Sequence, residues 1–291
     1  MNFEPKQTPM NNFQIFNHIS GLTSKLVTEK YSTSFSRAST LFKPEIRQHI
    51  YNIYGFVRFA DEIVDTFHDF DKAKLLDEFE KNYRDALEMG ISLNPILHSF
   101  CITQKEKNIS QDLVDAFLHS MRMDLGEIRD LNDEKYQEYI YGSAEVVGLM
   151  CLKVFVNGNA EEYEKLKPYA QSLGSAFQKI NFLRDINADF CDLGRTYFPN
   201  VNFRNFSLQD KLAIEKDIAS DFHHALVGIK MLPMSSKLAV FMAFKYYTNL
   251  FKKIRKCKPE ILLKKRISVS NARKVYLFGE MLLAKNFNLV R

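Results

Sequence analysis

The segment from Pro44 to about residue 68 constrains this chain most. Pro44 followed by Glu45 marks a helix start. Ile46, Ile50, Ile53, Tyr54, Val57 and Ile63 then recur at helical spacing. In YNIYGFVRFADEIVD the apolar residues Tyr51, Ile53, Tyr54, Phe56, Val57, Phe59, Ile63 and Val64 lie nearly all round the helix. A helix that apolar is mostly buried, so other elements must cover it on most sides. Yet it carries Asp61 and Asp65. Two like charges on a buried helix repel and lose hydration, and they persist only if paired, protonated or metal-bound.

The rest of the chain supplies what such a helix needs. Helical patterns span about 13–29, 71–89, 95–105, 110–129, 133–156, 161–190, 208–230, 235–256 and 271–286. YSTSFS (31–36) reads as irregular or as the beginning of a helix. LGRTYFPN breaks the pattern with Gly194 and Pro199. Only 11 Gly and 8 Pro serve the whole chain, and convincing alternating strands are missing, so the fold class is all-α. With no linker or internal repeat, residues 13–291 read as one domain behind a loose, polar, flexible N-terminus at 1–12. The 25 Phe fit either an aromatic-lined cavity or a merely Phe-rich core.

Cys101, Cys151, Cys191 and Cys257 are far apart, which fits a reducing cytoplasm without a zinc cluster. MNFEPKQTPMNNF has no run of signal-peptide length, and no stretch is long and apolar enough to span a bilayer. The formal charge of +5 is unevenly placed. Between Lys252 and Lys274 ten basic residues face only Glu260, which suggests either a peripheral contact with the inner face of an anionic membrane or a solvated helix face.

A second aspartate pair, Asp185 and Asp189, lies in NFLRDINAD and continues a stripe from Asn181. Spacing of four puts each pair on one helical face. Spacing alone is weak, because four DxxxD pairs occur (61/65, 65/69, 185/189 and 217/221) where chance supplies about one. Hard oxygen donors at Asp61, Asp65, Asn181, Asp185 and Asp189 suit Mg²⁺, or Mn²⁺ in its place. The alternative is ion pairing with the adjacent Arg58 and Arg184. Asp217 and Asp221 read as an ordinary solvated face.

These residues carry a resemblance. Tyr54, Arg58, Asp61, Glu62 and Asp65 stand in the pattern Y-x-x-x-R-x-x-D-[DE]-x-x-D. Gln178, Asn181, Arg184, Asp185 and Asp189 stand in Q-x-x-N-x-x-R-D-x-x-x-D, followed by Gly194, Arg195, Tyr197 and Pro199 as G-R-x-Y-x-P. With Ser32, Ser34 and Phe35 ahead of them, and Tyr247 and Arg266 behind, the chain resembles the squalene/phytoene synthase family over nearly its full length. There are departures. Tyr31 replaces a frequent His, Ala188 a frequent Glu, and in YIYGSAEVVG the tyrosine before Val-Ala-Gly is Gly142 and the glycine is Glu145. Tyr139 or Tyr141 then becomes the source of a hydroxyl for the second half of the reaction.

The resemblance implies an isoprenoid-synthase-type helical bundle around a central apolar cavity. It implies head-to-head joining of two prenyl diphosphates through a cyclopropylcarbinyl diphosphate. Asp61, Asp65, Asp185, Asp189 and Tyr54 would be the catalytic residues. Ser32, Ser34, Phe35, Arg58, Gln178, Asn181, Arg184, Arg195, Tyr247 and Arg266 would bind substrate. The first expectation is two geranylgeranyl diphosphates giving phytoene without NADPH. Squalene or dehydrosqualene from two farnesyl diphosphates is the alternative. A non-enzymatic lipid-binding or assembly factor of the same fold is another, as is a head-to-tail prenyltransferase or terpene cyclase. Neither nucleic acid nor an obligate protein partner is expected.

Overall fold

The computed structural model describes residues 10–126, 131–192 and 195–286, and among these there is no strand. The helices are α1 (Asn12–Tyr31), α2 (Thr33–Ser39), α3 (Pro44–Asp65), α4 (Lys72–Met89), α5 (Pro95–Glu106), α6 (Gln111–Leu125) and α7 (Asp133–Ile140). They continue as α8 (Val146–Phe155), α9 (Ala160–Ile186), α10 (Leu208–Met231), α11 (Lys237–Lys256), α12 (Pro259–Leu262) and α13 (Asn271–Asn286). Their starts follow local chemistry. Asn11, Ser32, Asp71, Asn94, Asn132, Asn159 and Ser207 each accept a backbone N–H with their side chains, and Pro44 and Pro95 open α3 and α5. Residues 1–9 lie outside the described residues, and the chain is already helical at Asn12. The YSTSFS segment is helical too, because Ser32 caps α2 through the Phe35 amide at 3.2 Å.

The central helix α3 is covered as its composition requires, by α1, α5, α8, α4 and α6. Phe56 is fully buried and stacks on Phe100 at 4.0 Å, with Phe79, Tyr83 and Phe117 around it. A second core lies between α9, α10 and α11 and holds Ile180, Leu183, Ile218, Phe222, Leu250 and Ile254.

The expected helix at 133–156 forms without a break from Asp133 to Phe155, but it is not α-helical throughout. Residues Tyr141–Glu145 form a π-helical segment between α7 and α8. Two close approaches accompany it. A Cβ on Gly142 would fall 2.5 Å from the Ala116 carbonyl oxygen of α6, and one on Gly174 of α9 would fall 2.8 Å from the Ala144 oxygen. No larger residue fits at Gly142 without moving α6, which is the physical reason the tyrosine of the resembled pattern has no room here.

Candidate active site

The C-terminal end of α3, the end of α6, the end of α9 and the residues after it converge on one cleft. Asp61 and Asp65 come from α3. Asp185 comes from the last turn of α9, and Asp189 lies in a second π-helical segment, Asn187–Asp192. A π-segment changes the register, so Asp189 does not extend a regular α-helical stripe from Asp185.

Both aspartate pairs are engaged by arginine. Arg58 donates to Asp61 Oδ2 and Glu62 Oε2, and its guanidinium lies 4.7 Å from the Tyr31 ring centroid. Its Nε–H is buried without a partner. Arg184 Nη2 donates to Asp185 Oδ2 at 2.5 Å and Arg266 Nε to Asp185 Oδ1 at 2.7 Å. Arg195 Nη2 donates to the Asp124 carbonyl at 3.0 Å, and the Arg195 amide donates to the Asp189 carbonyl at 2.7 Å.

Asp124 was not singled out by motif, yet it lies at the centre of the cleft. Its residue is 7% exposed, and Tyr139 Oη donates to its Oδ1 at 2.8 Å. Burial pushes its carboxyl up to about 7 against the pull of that hydrogen bond and of Arg195, and Asp65 and Asp61 push the same way. Burial, then the charge of Asp65, raises Asp61 to about 6. Burial, then Asp185, raises Asp189 to about 6, with Asp65 adding to it across the cleft. A signal for Asp124 existed in the sequence. It continues the apolar face of α6 after Phe117 and Met121, where a carboxylate needs a reason to be. Tyr139 is fixed by its ring as well, facing Tyr197 at 5.5 Å and Phe182 at 5.9 Å. Tyr141 instead packs beside Tyr163 and Glu145, away from this cleft.

Four guanidinium groups and the Lys72 ammonium face six carboxylates here, counting Glu62 and Asp124, so formal negative charge exceeds positive by one. A polyanionic diphosphate cannot settle against that surplus unless dications offset it. Among the described residues no three carboxylate, imidazole or thiolate groups converge enough to enclose an ion by themselves. Pairs of hard oxygens with open positions fit Mg²⁺, which usually keeps one or two carboxylates and completes its shell with water and substrate phosphate.

An apolar channel of about 330 Å³ leads away from the cleft. Its upper end is lined by Phe35, Val57, Phe177, Gln178, Asn181 and Tyr247. Tyr247 donates to Asn181 Oδ1 at 3.3 Å and stacks on Phe177 at 3.8 Å, while Asn181 Nδ2 reaches Gln178 Oε1 at 3.5 Å. Tyr54 stacks on Phe35 at 4.9 Å and bonds Ser32, with Ser34 beside them in α2. Away from the cleft it is lined by Phe42, Phe155, Leu166 and Leu232, with Phe42 stacked on Phe155 at 5.5 Å. From Asn181 to Leu166 the channel follows fifteen residues of α9, about 22 Å at the helical rise.

One expected feature differs. Asp221 is not solvated, because Lys179 Nζ and Ser175 Oγ donate to it at 2.8 and 3.1 Å across the α9–α10 contact. Glu145 does not line the channel; it accepts from Gln171 Nε2 at 2.9 Å behind α9. Gly194, within the expected GRTYFP motif, lies outside the described residues.

The Squalene/phytoene synthase family model matches residues 28–273. A 4,4′-diapophytoene synthase of Staphylococcus haemolyticus is 24% identical over 287 residues, covering 88% of this chain and 93% of its own. A 15-cis-phytoene synthase of a Paracoccus species is 26% identical over 285 residues, 89% of each chain. A solved dehydrosqualene synthase with bound ligand superposes with a TM-score of 0.77 at 21% identity, over 95% of this chain and 99% of that one. A squalene synthase of Alicyclobacillus acidocaldarius superposes at 0.72 and 19% identity, over 83% and 95%. These superpositions identify the fold as the isoprenoid-synthase helical fold.

Proposed function

The chain belongs to the squalene/phytoene synthase family, whose members are head-to-head prenyltransferases, and from that premise we propose that it condenses two geranylgeranyl diphosphates to phytoene. One observation carries the reading: a cleft of paired carboxylates and arginines opens onto an apolar channel about 22 Å long. The cleft suits a diphosphate and the channel suits a long prenyl chain.

Each residue then has a task. Arg58, Arg184, Arg195 and Arg266 offer planar forks to phosphate oxygens, and Arg58 keeps an unmet Nε–H for one of them. Asp61, Asp65, Asp185 and Asp189, with Asn181, would hold Mg²⁺ or Mn²⁺. When bound, such an ion supplies Lewis-acid stabilisation of the departing diphosphate. Tyr247, Phe177, Phe35 and Tyr54 present ring faces to the allylic cation, and the apolar walls keep water from it. The double bond of the second substrate attacks that cation, and proton loss gives the cyclopropylcarbinyl diphosphate. A second ionisation and rearrangement leads to the hydrocarbon. Tyr139, held by Asp124, offers a hydroxyl beside the carboxylates for that second half. Nothing in the sequence requires NADPH for this product.

Purified protein with geranylgeranyl diphosphate and Mg²⁺, without NADPH, should form phytoene. The similarity to the staphylococcal 4,4′-diapophytoene synthase favours a second reading, in which two farnesyl diphosphates are joined. Turnover of farnesyl diphosphate alone selects it. No turnover of either substrate rejects both readings in favour of a lipid-binding role.

A further inference from the structure

Charge on this chain is polarised. Ten basic residues and one acid between Lys252 and Lys274 carry +9, so the remainder of the chain, at +5 overall, carries −4. Some basic residues elsewhere are drawn into pairs, as with Arg84 and Arg122 against Asp77, Glu80 and Asp115. On the last turns of α11, on α12 and on the segment after it, Lys252, Lys256, Lys258, Lys264 and Lys265 are exposed and take part in no ion pair among the described residues.

The fold sets this surface at the mouth of the cleft. Asn187 Nδ2 donates to the Leu263 carbonyl at 2.8 Å, and the next residue but two, Arg266, reaches Asp185. Lys264 and Lys265 lie between those two anchors. The start of α10 joins the same surface, because buried Lys211 donates to the Arg255 carbonyl at 3.4 Å. That contact sets the start of α10 against the end of α11; there Leu208 and Leu212 are 59% and 52% exposed, and Ile261 is exposed between Lys258 and Lys264 in the chain. Unpaired ammonium groups interleaved with exposed aliphatic side chains match the two layers of a bilayer surface, anionic headgroups outside and acyl chains within. A nucleic acid would use the charges and leave the leucines and isoleucine in water.

We propose that this surface docks the protein on an anionic lipid bilayer, with the mouth of the cleft at the membrane. The proposal rests on the prenyltransferase reading only for its purpose, which is transfer of an amphiphilic diphosphate inward and a hydrocarbon outward. The docking itself requires no catalysis, so the two can fail separately.

The test is co-sedimentation of the full chain with phosphatidylcholine vesicles and with phosphatidylcholine–phosphatidylglycerol vesicles. Partition should be confined to the anionic vesicles and should fall as salt is raised. The combined variant Lys256→Gln, Lys258→Gln, Lys264→Gln, Lys265→Gln should lose about fivefold in partition for each charge removed. Leu212→Ser with Ile261→Ser should weaken partition while leaving its salt dependence in place. Three results would overturn the proposal: no partition onto anionic vesicles, undiminished partition of the lysine variant, or binding to duplex DNA in place of vesicles. A lysine variant that keeps full partition but shows a raised KM for detergent-solubilised substrate would assign the cluster to the diphosphate instead.

Discussion

Tyr139 donates its hydroxyl to Asp124 Oδ1 across 2.8 Å, and this bond joins the end of α7 to the end of α6 under the carboxylate cleft. Both groups are buried, and the Asp124 carboxyl is raised to about 7, chiefly by burial. A raised carboxyl binds its proton more tightly in the folded state, so its contribution to stability is present at low pH and is lost as pH rises through 7. Asp124→Asn should therefore melt higher than the parent at pH 8, with the gap closing towards pH 5, while turnover falls. Thermal melts across that range, beside a product assay, check both halves. A variant that melts lower at pH 8 removes the argument.

Asp61→Asn and Asp189→Asn should each lower turnover about a hundredfold or more, since each removes a carboxylate that would hold the dication offsetting the charge of the departing diphosphate. Neither should destabilise the fold, because each carboxyl is raised by burial and then by a neighbouring carboxylate, and both penalties are relieved when it is neutralised. Retention of activity in Asp61→Asn, by kinetics on correctly folded protein, would falsify the metal-bridging role.

The stacked pair Phe42 and Phe155 lines the channel away from the cleft. Truncating Phe155 to Ala should deepen it and raise relative kcat/KM for a diphosphate one isoprene unit longer by about tenfold. Competition between the two chain lengths, read by mass spectrometry of the products, measures this. An unchanged ratio places the length limit elsewhere.

His49 provides a pH test away from the site. Burial, then Lys107, lowers its imidazole to about 4, and Nδ1 pairs with Thr103 Oγ1 at 3.0 Å. A lowered base contributes stability above its unfolded value of 6.5, and the contribution is lost as pH falls through 4. Glu106 at 3.7 Å softens the loss. His49→Asn should flatten the fall in Tm between pH 6.5 and 4 relative to the parent. Parallel slopes would contradict it.

The helices were legible because their signals are local. Pro44 and Pro95 open α3 and α5, Asn94 and Ser207 cap α5 and α10, and the all-round apolar surface of α3 demanded burial on every side. The aspartate and arginine motifs could also be read along the chain, since residues one turn apart on a helix are neighbours in sequence. Asp124 escaped the motifs because it meets Asp65 and Tyr139 only when α6 ends beside α3 and α7. The π-segment Tyr141–Glu145 escaped too, because the close approaches at Gly142 and Gly174 are made between helices. Asp221 was misread as solvated for the same reason: its partner Lys179 is on another helix. The sequence by itself determined which helices form and which of them bear charge in an apolar setting. Tertiary packing alone decided which carboxylates share a cleft, how far the channel runs behind it and which lysines are left without partners. Periodicity encodes the face a side chain takes on its own helix, whereas proximity, desolvation and charge coupling arise between helices.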